Sequence, residues 1–309
     1  MVLFVLGAAL VIWGATKFES GAIFIATAAN VPKVVVGATI VSLATTFPEF
    51  LTSFSAAFLG KPLLAVGNAV GSYLFNIGLI VGLAAMIKPY PIPKKNFRFQ
   101  GLCALVAAIA MAIATLGQEI GKTIGVIFTL ALFVFLFFSW TQSSLKKEFE
   151  NSPPGVFAKN WFFPLLQFIA GAGCVTVGCI FLVENGSQIA RHLGVSELII
   201  GLTIVALGTS LPEITLAITS FIRGNIDLSL GNILGANVLD IFWVIGASAL
   251  VHPLPIVTQI RVLDIPFAIL IVTLLLTFGL RGNHLNKAQG SALVGTYFLY
   301  LILMGVFFL

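Results

Sequence analysis

Apolar residues fill this chain in stretches of about twenty, and short polar or charged turns break them. The breaks predict ten helices, near residues 2–28, 34–58, 64–87, 99–117, 121–141, 162–190, 196–221, 228–251, 262–280 and 288–308. A helix of that length spans the roughly 30 Å hydrocarbon core of a bilayer. The longest polar interruption, QSSLKKEFENSPPGVFAKN at 142–160, divides the helices five and five. The pattern predicts an all-α polytopic membrane protein, with a first half at 1–141, a linker at 142–160 and a second half at 161–309. Residues 2–13 lack a basic leader and a cleavage-like run of small residues, so they read as the start of the first helix.

Composition supports the pattern. Of 309 residues 59% are hydrophobic and 9% charged, too little polar surface for a water-soluble domain. A net charge of +5 would suggest nucleic acid in a soluble protein. Here the basic residues lie between apolar runs, where they set orientation instead, and no nucleic-acid partner is expected. Loops after the odd-numbered helices hold eleven: Lys33, Lys88, Lys94, Lys95, Arg98, Lys146, Lys147, Lys159, Arg223, Arg281 and Lys287. The alternate loops hold four, Lys61, Lys122, Arg191 and Arg261, while Lys17 falls inside a helix. Both termini are therefore expected outside and the 142–160 loop in the cytoplasm. Cys103, Cys174 and Cys179 sit in apolar segments without paired spacing and read as packing residues. His192, His252 and His284 read as interfacial.

Polar residues inside the apolar runs carry more information. Gly37–Glu49 reads GATIVSLATTFPE and Gly201–Glu213 reads GLTIVALGTSLPE, 164 positions apart. The same offset pairs Gly67–Asn76, GNAVGSYLFN, with Gly231–Asp240, GNILGANVLD. Without gaps, residues 37–89 match 201–253 at 17 of 53 positions, including Gly, Asn, Pro and Glu that shared hydrophobicity would not preserve. This is an internal repeat. Five helices per repeat is an odd number, so the second copy is expected to enter the membrane upside down. Many secondary transporters use such inverted repeats, with the site between them near mid-membrane.

A carboxylate within an apolar helix is costly and usually functional. Glu49, Glu213 and Asp240 are the acidic residues expected deepest. Glu148, Glu150, Glu184, Glu197, Asp227 and Asp264 fall near loops or helix ends, and Glu19 and Glu119 belong with them. Pro48 and Pro212 each remove a backbone donor and free a carbonyl one turn back. Residues four apart share a helix face, so Thr45 is expected over Glu49, Ser72 over Asn76, Thr209 over Glu213 and Ala236 over Asp240. Seven of these eight carry a side-chain oxygen. Such an all-oxygen set suits Ca²⁺, leaves Mn²⁺ open and disfavours Zn²⁺ or Cu. Its charge also fits several Na⁺ ions, and exclusive occupancy of one site by either is a physical basis for antiport. No enzyme motif such as HExxH is present.

The paired ATTFPE/GTSLPE and GNAVGSYLFN/GNILGANVLD segments resemble the two alpha-repeats of the cation/calcium antiporter family, especially prokaryotic sodium/calcium exchangers. The resemblance extends over nearly the whole chain. It implies an Na⁺/Ca²⁺ antiporter of a prokaryotic cell membrane that needs no cofactor. It also implies Glu49 and Glu213 as central ligands of both ions, with Thr45 and Thr209 beside them. Carbonyls of Ser42 and Ala206, with Thr46 and Ser210, would complete flanking Na⁺ positions; Asn76 and Asp240 would line the middle. The family pattern has Ser where this chain has Ala236, while Ser72 keeps it in the first repeat. The missing hydroxyl is expected to weaken the flank nearest Thr209 and Ser210. H⁺ in place of Na⁺, a K⁺ requirement signalled by Asp240, and a Ca²⁺ channel remain open alternatives.

Overall fold

The computed structural model describes residues 2–28, 41–92, 94–142, 161–214, 217, 226–282 and 284–308. They are mostly helical. In chain order the helices are α1 (Val2–Ala28), α2 (Ser42–Thr45), α3 (Phe47–Phe58), α4 (Pro62–Ile87), α5 (Lys94–Ala114), α6 (Lys122–Gln142), α7 (Phe162–Leu193) and α8 (Glu197–Thr209). There follow a helical turn at 211–214 and then α9, which runs Ile226–Leu239 and on through Gly246–Val251. Last come α10 (Ile260–Arg281) and α11 (Lys287–Phe308). Among the described residues, seven stretches are long and apolar enough to cross a membrane: α4, α10, α11 and parts of α5, α6, α7 and α9.

Several expected boundaries move. The helix expected from 99 begins at Lys94, because KKNFR is a polar first turn of the helix itself. The run expected to end at 190 reaches Leu193. The helices expected at 34–58 and 196–221 extend into residues 29–40, 215–216 and 218–225, outside the described residues; what is described of them is broken. The break has a covalent cause. Pro48 and Pro212 have no N–H to give the carbonyls of Ala44 and Gly208, and their rings crowd those turns. The helix accordingly bends at Thr46 between α2 and α3, and turns at Ser210 after α8. Lys33, Arg223 and residues 143–160 of the linker also lie outside the described residues.

The 164-residue offset recurs in local geometry. A wide π-helical turn interrupts α4 at Asn76–Val81 and α9 at Asp240–Ile245, and an α-helical stretch resumes at Gly82 and at Gly246. Two short strands follow suit, β1 (Tyr90–Pro91) and β3 (Leu254–Pro255). Crosswise pairing ties the halves together: β1 with β4 (His284–Leu285), and β2 (Glu119–Ile120) with β3, both antiparallel.

Backbones approach closely where α4 and α8 cross. A side chain on Gly71 would strike the backbone of Leu202 at 2.5 Å, and one on Gly201 the Leu64 carbonyl at 2.7 Å. Glycine therefore permits backbone-to-backbone approach here. Gly60, at φ 72°, makes the turn between α3 and α4. At the side, α1 and α7 lie along facing glycines, Gly7 by Gly178 and Gly14 by Gly171, and meet Phe47 and Leu51 through Val11, Val175 and Leu182.

Candidate functional site

The two helix breaks place the acidic residues. Each break leaves Glu49 or Glu213 in the first turn of the helical segment that follows, where free amides and the positive end of the macrodipole favour a carboxylate. Helix α9 packs against α2, and α4 against α8, so the halves interleave. All the side chains the sequence singled out are thereby brought into one buried region: Ser42, Thr45, Thr46, Glu49, Ser72, Asn76, Ala206, Thr209, Ser210, Glu213, Ala236 and Asp240. Glu213 lies within electrostatic reach of both Glu49 and Asp240.

The contacts run across the halves rather than along one helix face. Thr209 Oγ1 donates to Asn68 Oδ1 at 3.0 Å, and Thr45 Oγ1 to Asn232 Oδ1 at 3.3 Å. Thr209 faces the carboxylate of Glu49, and Thr45 that of Glu213. Thr45 and Thr209, expected over Glu49 and Glu213 of their own halves, each also reach an asparagine and a carboxylate of the other half. Ser210 Oγ, which has a single proton, lies 3.0 Å from both Glu49 Oε1 and Ser72 Oγ. Asn76 Nδ2 donates to Asn237 Oδ1 at 3.1 Å, and Asn237 Nδ2 to the Tyr73 carbonyl at 2.9 Å.

The pairing of Ser72 with Ser210 relocates the gap at Ala236. By the offset, the mirror of Ser72, Ser210 and Glu49 is Ala236, Thr46 and Glu213. In that mirror set Thr46 Oγ1 and both Glu213 oxygens have no hydrogen-bond partner among the described residues. The flank short of a hydroxyl is therefore the one beside Thr46, not the one beside Ser210. The Ser42 and Ala206 carbonyls accept the amides of Thr46 at 2.9 Å and Ser210 at 3.0 Å, as helical carbonyls do.

Five carboxylate oxygens in the region have no hydrogen-bond partner among the described residues: Glu49 Oε2, both of Glu213 and both of Asp240. No Lys or Arg is among the buried residues described. Buried carboxylates without protein counter-charge are costly unless a cation or protons neutralise them. No three His, Cys, Asp or Glu side chains among the described residues are close enough to clasp an ion by themselves. A cation here would need hydroxyl and amide oxygens as well, which this region supplies.

Three features escaped the sequence. Asn68 and Asn232 were visible only as repeat markers, although two buried amides conserved between the halves are themselves a signal. Asn237 stands where the first half has Tyr73, so the repeat hides it. Asp264, expected at the periphery, is fully buried; Tyr300 Oη and Gln259 Nε2 donate to its Oδ1 at 3.1 and 3.4 Å. Its place at the start of α10 suggested exposure, but the polar ring of Tyr300 covers it. Beside the site, Phe50 stacks on Trp243 with centroids 4.4 Å apart.

Comparison with known proteins follows the same lines. The family model described as sodium/calcium exchanger protein matches residues 1–141 and 163–306. The chain is 33% identical over 300 residues to the uncharacterized membrane protein MJ0091 of Methanocaldococcus jannaschii, covering 95% of this chain and 94% of that one. It is 32% identical over 254 residues to the putative antiporter CaxA of Alkalimonas amylolytica, covering 80% and 79%. A structure of the sodium-calcium exchanger NCX_Mj soaked with Na⁺ and Sr²⁺ superposes with a TM-score of 0.70 at 31% identity, over 97% of each chain.

Proposed function

The chain belongs to the sodium/calcium exchanger family, and from that premise we propose that it drives Ca²⁺ across a membrane against Na⁺ by alternating access at the Glu49–Glu213–Asp240 site. In coarser terms it is an integral membrane cation/Ca²⁺ antiporter and not an enzyme. The observation that carries the finer reading is the set of five buried carboxylate oxygens without a hydrogen-bond partner among the described residues, hemmed in by hydroxyls and amides from both halves. Hard cations of modest dehydration cost fit such a set, and one Ca²⁺ or more than one Na⁺ can balance its charge.

In this mechanism Glu49 and Glu213 bind Ca²⁺ directly and change over to Na⁺. Thr45, Thr209, Thr46, Ser210 and Ser72 supply hydroxyl ligands, the carbonyls of Ser42 and Ala206 add lone pairs at the flanks, and Asn76 and Asp240 line the centre. Because neither ion set leaves room for the other, loading one releases the other. The proposed frame is ten helices in two inverted repeats, 1–141 and 161–309, joined by a cytoplasmic linker at 142–160. The matched strand pairs and π-helical turns at the 164-residue offset support it.

A second reading, H⁺/Ca²⁺ exchange, is favoured by one observation. Among the described residues neither Glu213 oxygen has a hydrogen-bond partner, so a proton could neutralise the group there in place of Na⁺. Purified protein in liposomes decides between them. Ca²⁺ uptake driven by an imposed Na⁺ gradient, and not by a pH gradient, is the expected result. Uptake driven by H⁺ alone replaces the first reading with the second, and uptake along the Ca²⁺ gradient without any counter-ion would make the protein a channel.

A further inference from the structure

We propose that Asn68 and Asn232 are positioning residues that orient the threonine ligands of the opposite half, and that the first pair is locked while the second is not. The inference rests on the reading of Thr45 and Thr209 as ion ligands.

A threonine hydroxyl has one proton and two lone pairs. Within a helix it usually gives the proton to a carbonyl three or four residues back. Those acceptors are at hand, since Thr209 Oγ1 is 3.2 Å from the carbonyls of both Val205 and Ala206, and Thr45 Oγ1 is 3.4 Å from that of Ser42. Each has a nearer acceptor across the interface, Asn68 Oδ1 at 3.0 Å and Asn232 Oδ1 at 3.3 Å. A proton sent to the asparagine leaves both oxygen lone pairs for a cation. The amide thus decides where the hydroxyl aims.

An asparagine can present either its oxygen or its nitrogen, and the surrounding network sets which. Asn68 has no choice. Its Nδ2 donates to Ser53 Oγ at 2.9 Å and to the Glu49 carbonyl at 3.2 Å, so Oδ1 must face Thr209. Asn232 Nδ2 has no partner among the described residues. The repeat explains the difference, because the 164-residue offset carries Ser53 onto Ala217, a methyl group. Ser229 stands where the first half has Ala65, yet its hydroxyl too is partnerless among the described residues, so it does not satisfy Asn232. The Asn232 amide can therefore rotate. With Nδ2 toward Thr45 it would donate to the hydroxyl, occupy one lone pair and send the proton to Ser42. Thr45 is the weaker ligand of the two, on the same flank where Ala236 leaves Thr46 without a partner.

The test uses the full-length protein in liposomes and reads half-saturating Na⁺, half-saturating Ca²⁺ and maximal rate. Thr209→Val and Asn68→Ala should each raise half-saturating Na⁺ roughly fivefold, on the scale of one hydrogen bond. The double variant should be no worse than Thr209→Val alone, because the asparagine acts only through the hydroxyl. Ala217→Ser should lower half-saturating Na⁺ by locking Asn232, and Thr45→Val should abolish that gain. If Thr209→Val and Thr45→Val leave both ions' half-saturation unchanged, the ligand reading itself fails. If they shift it but Asn68→Ala does not, or the double variant is additive, the positioning role fails. Should Asn68→Ala not fold, Ala217→Ser decides: unchanged half-saturation in that variant overturns the lock.

Discussion

At the scale of single residues, charge and hydroxyl count set the expected effects. Glu49→Gln and Glu213→Gln each keep shape while removing a charge that a divalent ion needs, so each should nearly abolish Ca²⁺ transport and leave the protein monodisperse. Normal transport by a well-folded variant would remove that residue from the site. Ala236→Ser restores the oxygen that Ser72 supplies in the other half. A gain of about 1 kcal/mol, one hydrogen bond's worth, corresponds to roughly fivefold tighter Na⁺. Half-saturating Ca²⁺ should move less because two carboxylates dominate it. Unchanged Na⁺ dependence would mean that position 236 does not tune the site. The cross-repeat contacts add a second requirement, that the gain disappear when Thr46 is replaced by Val. The sequence made the acidic and hydroxyl positions legible because such groups are rare in apolar helices. It could not show which hydroxyl meets which carboxylate, since that depends on how the two halves pack against each other.

At the scale of elements, the GxxxG spacings of the two motifs look equivalent in sequence but differ in what they touch. Gly71 of α4 meets the backbone of α8, with Leu202 O at 2.5 Å and Leu202 Cα at 2.7 Å from where a Cβ would stand. Backbone cannot step aside. Gly231 of α9 meets only the end of a flexible side chain, Gln100 Oε1 at 3.3 Å. Gly71→Ala should therefore destabilise the protein by about 1–3 kcal/mol through overpacking, whereas Gly231→Ala should stay within about 0.5 kcal/mol. Thermal unfolding in detergent, followed by size-exclusion, measures both. Equal melting temperatures would refute the distinction. For the seven long apolar stretches among the described residues, helix existence and approximate span were legible from hydropathy. The π-helical turns at Asn76 and Asp240 were not, because a one-residue widening leaves no mark on an apolar pattern. Nor were the two-residue strands, whose Pro91 and Pro255 read as plain turn residues.

At the scale of the whole molecule, one binary question governs orientation, and the strand pairs reduce it to that. Pairing of β1 with β4 puts residues 90–91 and 284–285 on one membrane face, and pairing of β2 with β3 puts 119–120 and 254–255 together. Helix α5 joins the first pair to the second and holds a stretch long and apolar enough to cross a membrane, so the two ribbons are expected on opposite faces. The first face holds Lys88, Arg98, Arg281 and Lys287; the second holds Lys61, Lys122 and Arg261. Arg261 is moreover engaged, donating through Nε to the Thr115 carbonyl at 2.9 Å and through a terminal nitrogen to that of Gly117 at 2.7 Å. Retention of positive charge on the cytoplasmic side predicts that the β1–β4 face lies inside. With Cys103, Cys174 and Cys179 replaced, cysteines introduced at the exposed residues His284 and His252 should behave oppositely in intact cells. An impermeant maleimide should label position 252 and spare position 284, and a cysteine at Glu150 should be spared as well. Labelling of 284 and 150 but not 252 would invert the assignment while keeping the ribbons on opposite faces. Labelling of both 252 and 284 would contradict the crossing of α5 itself.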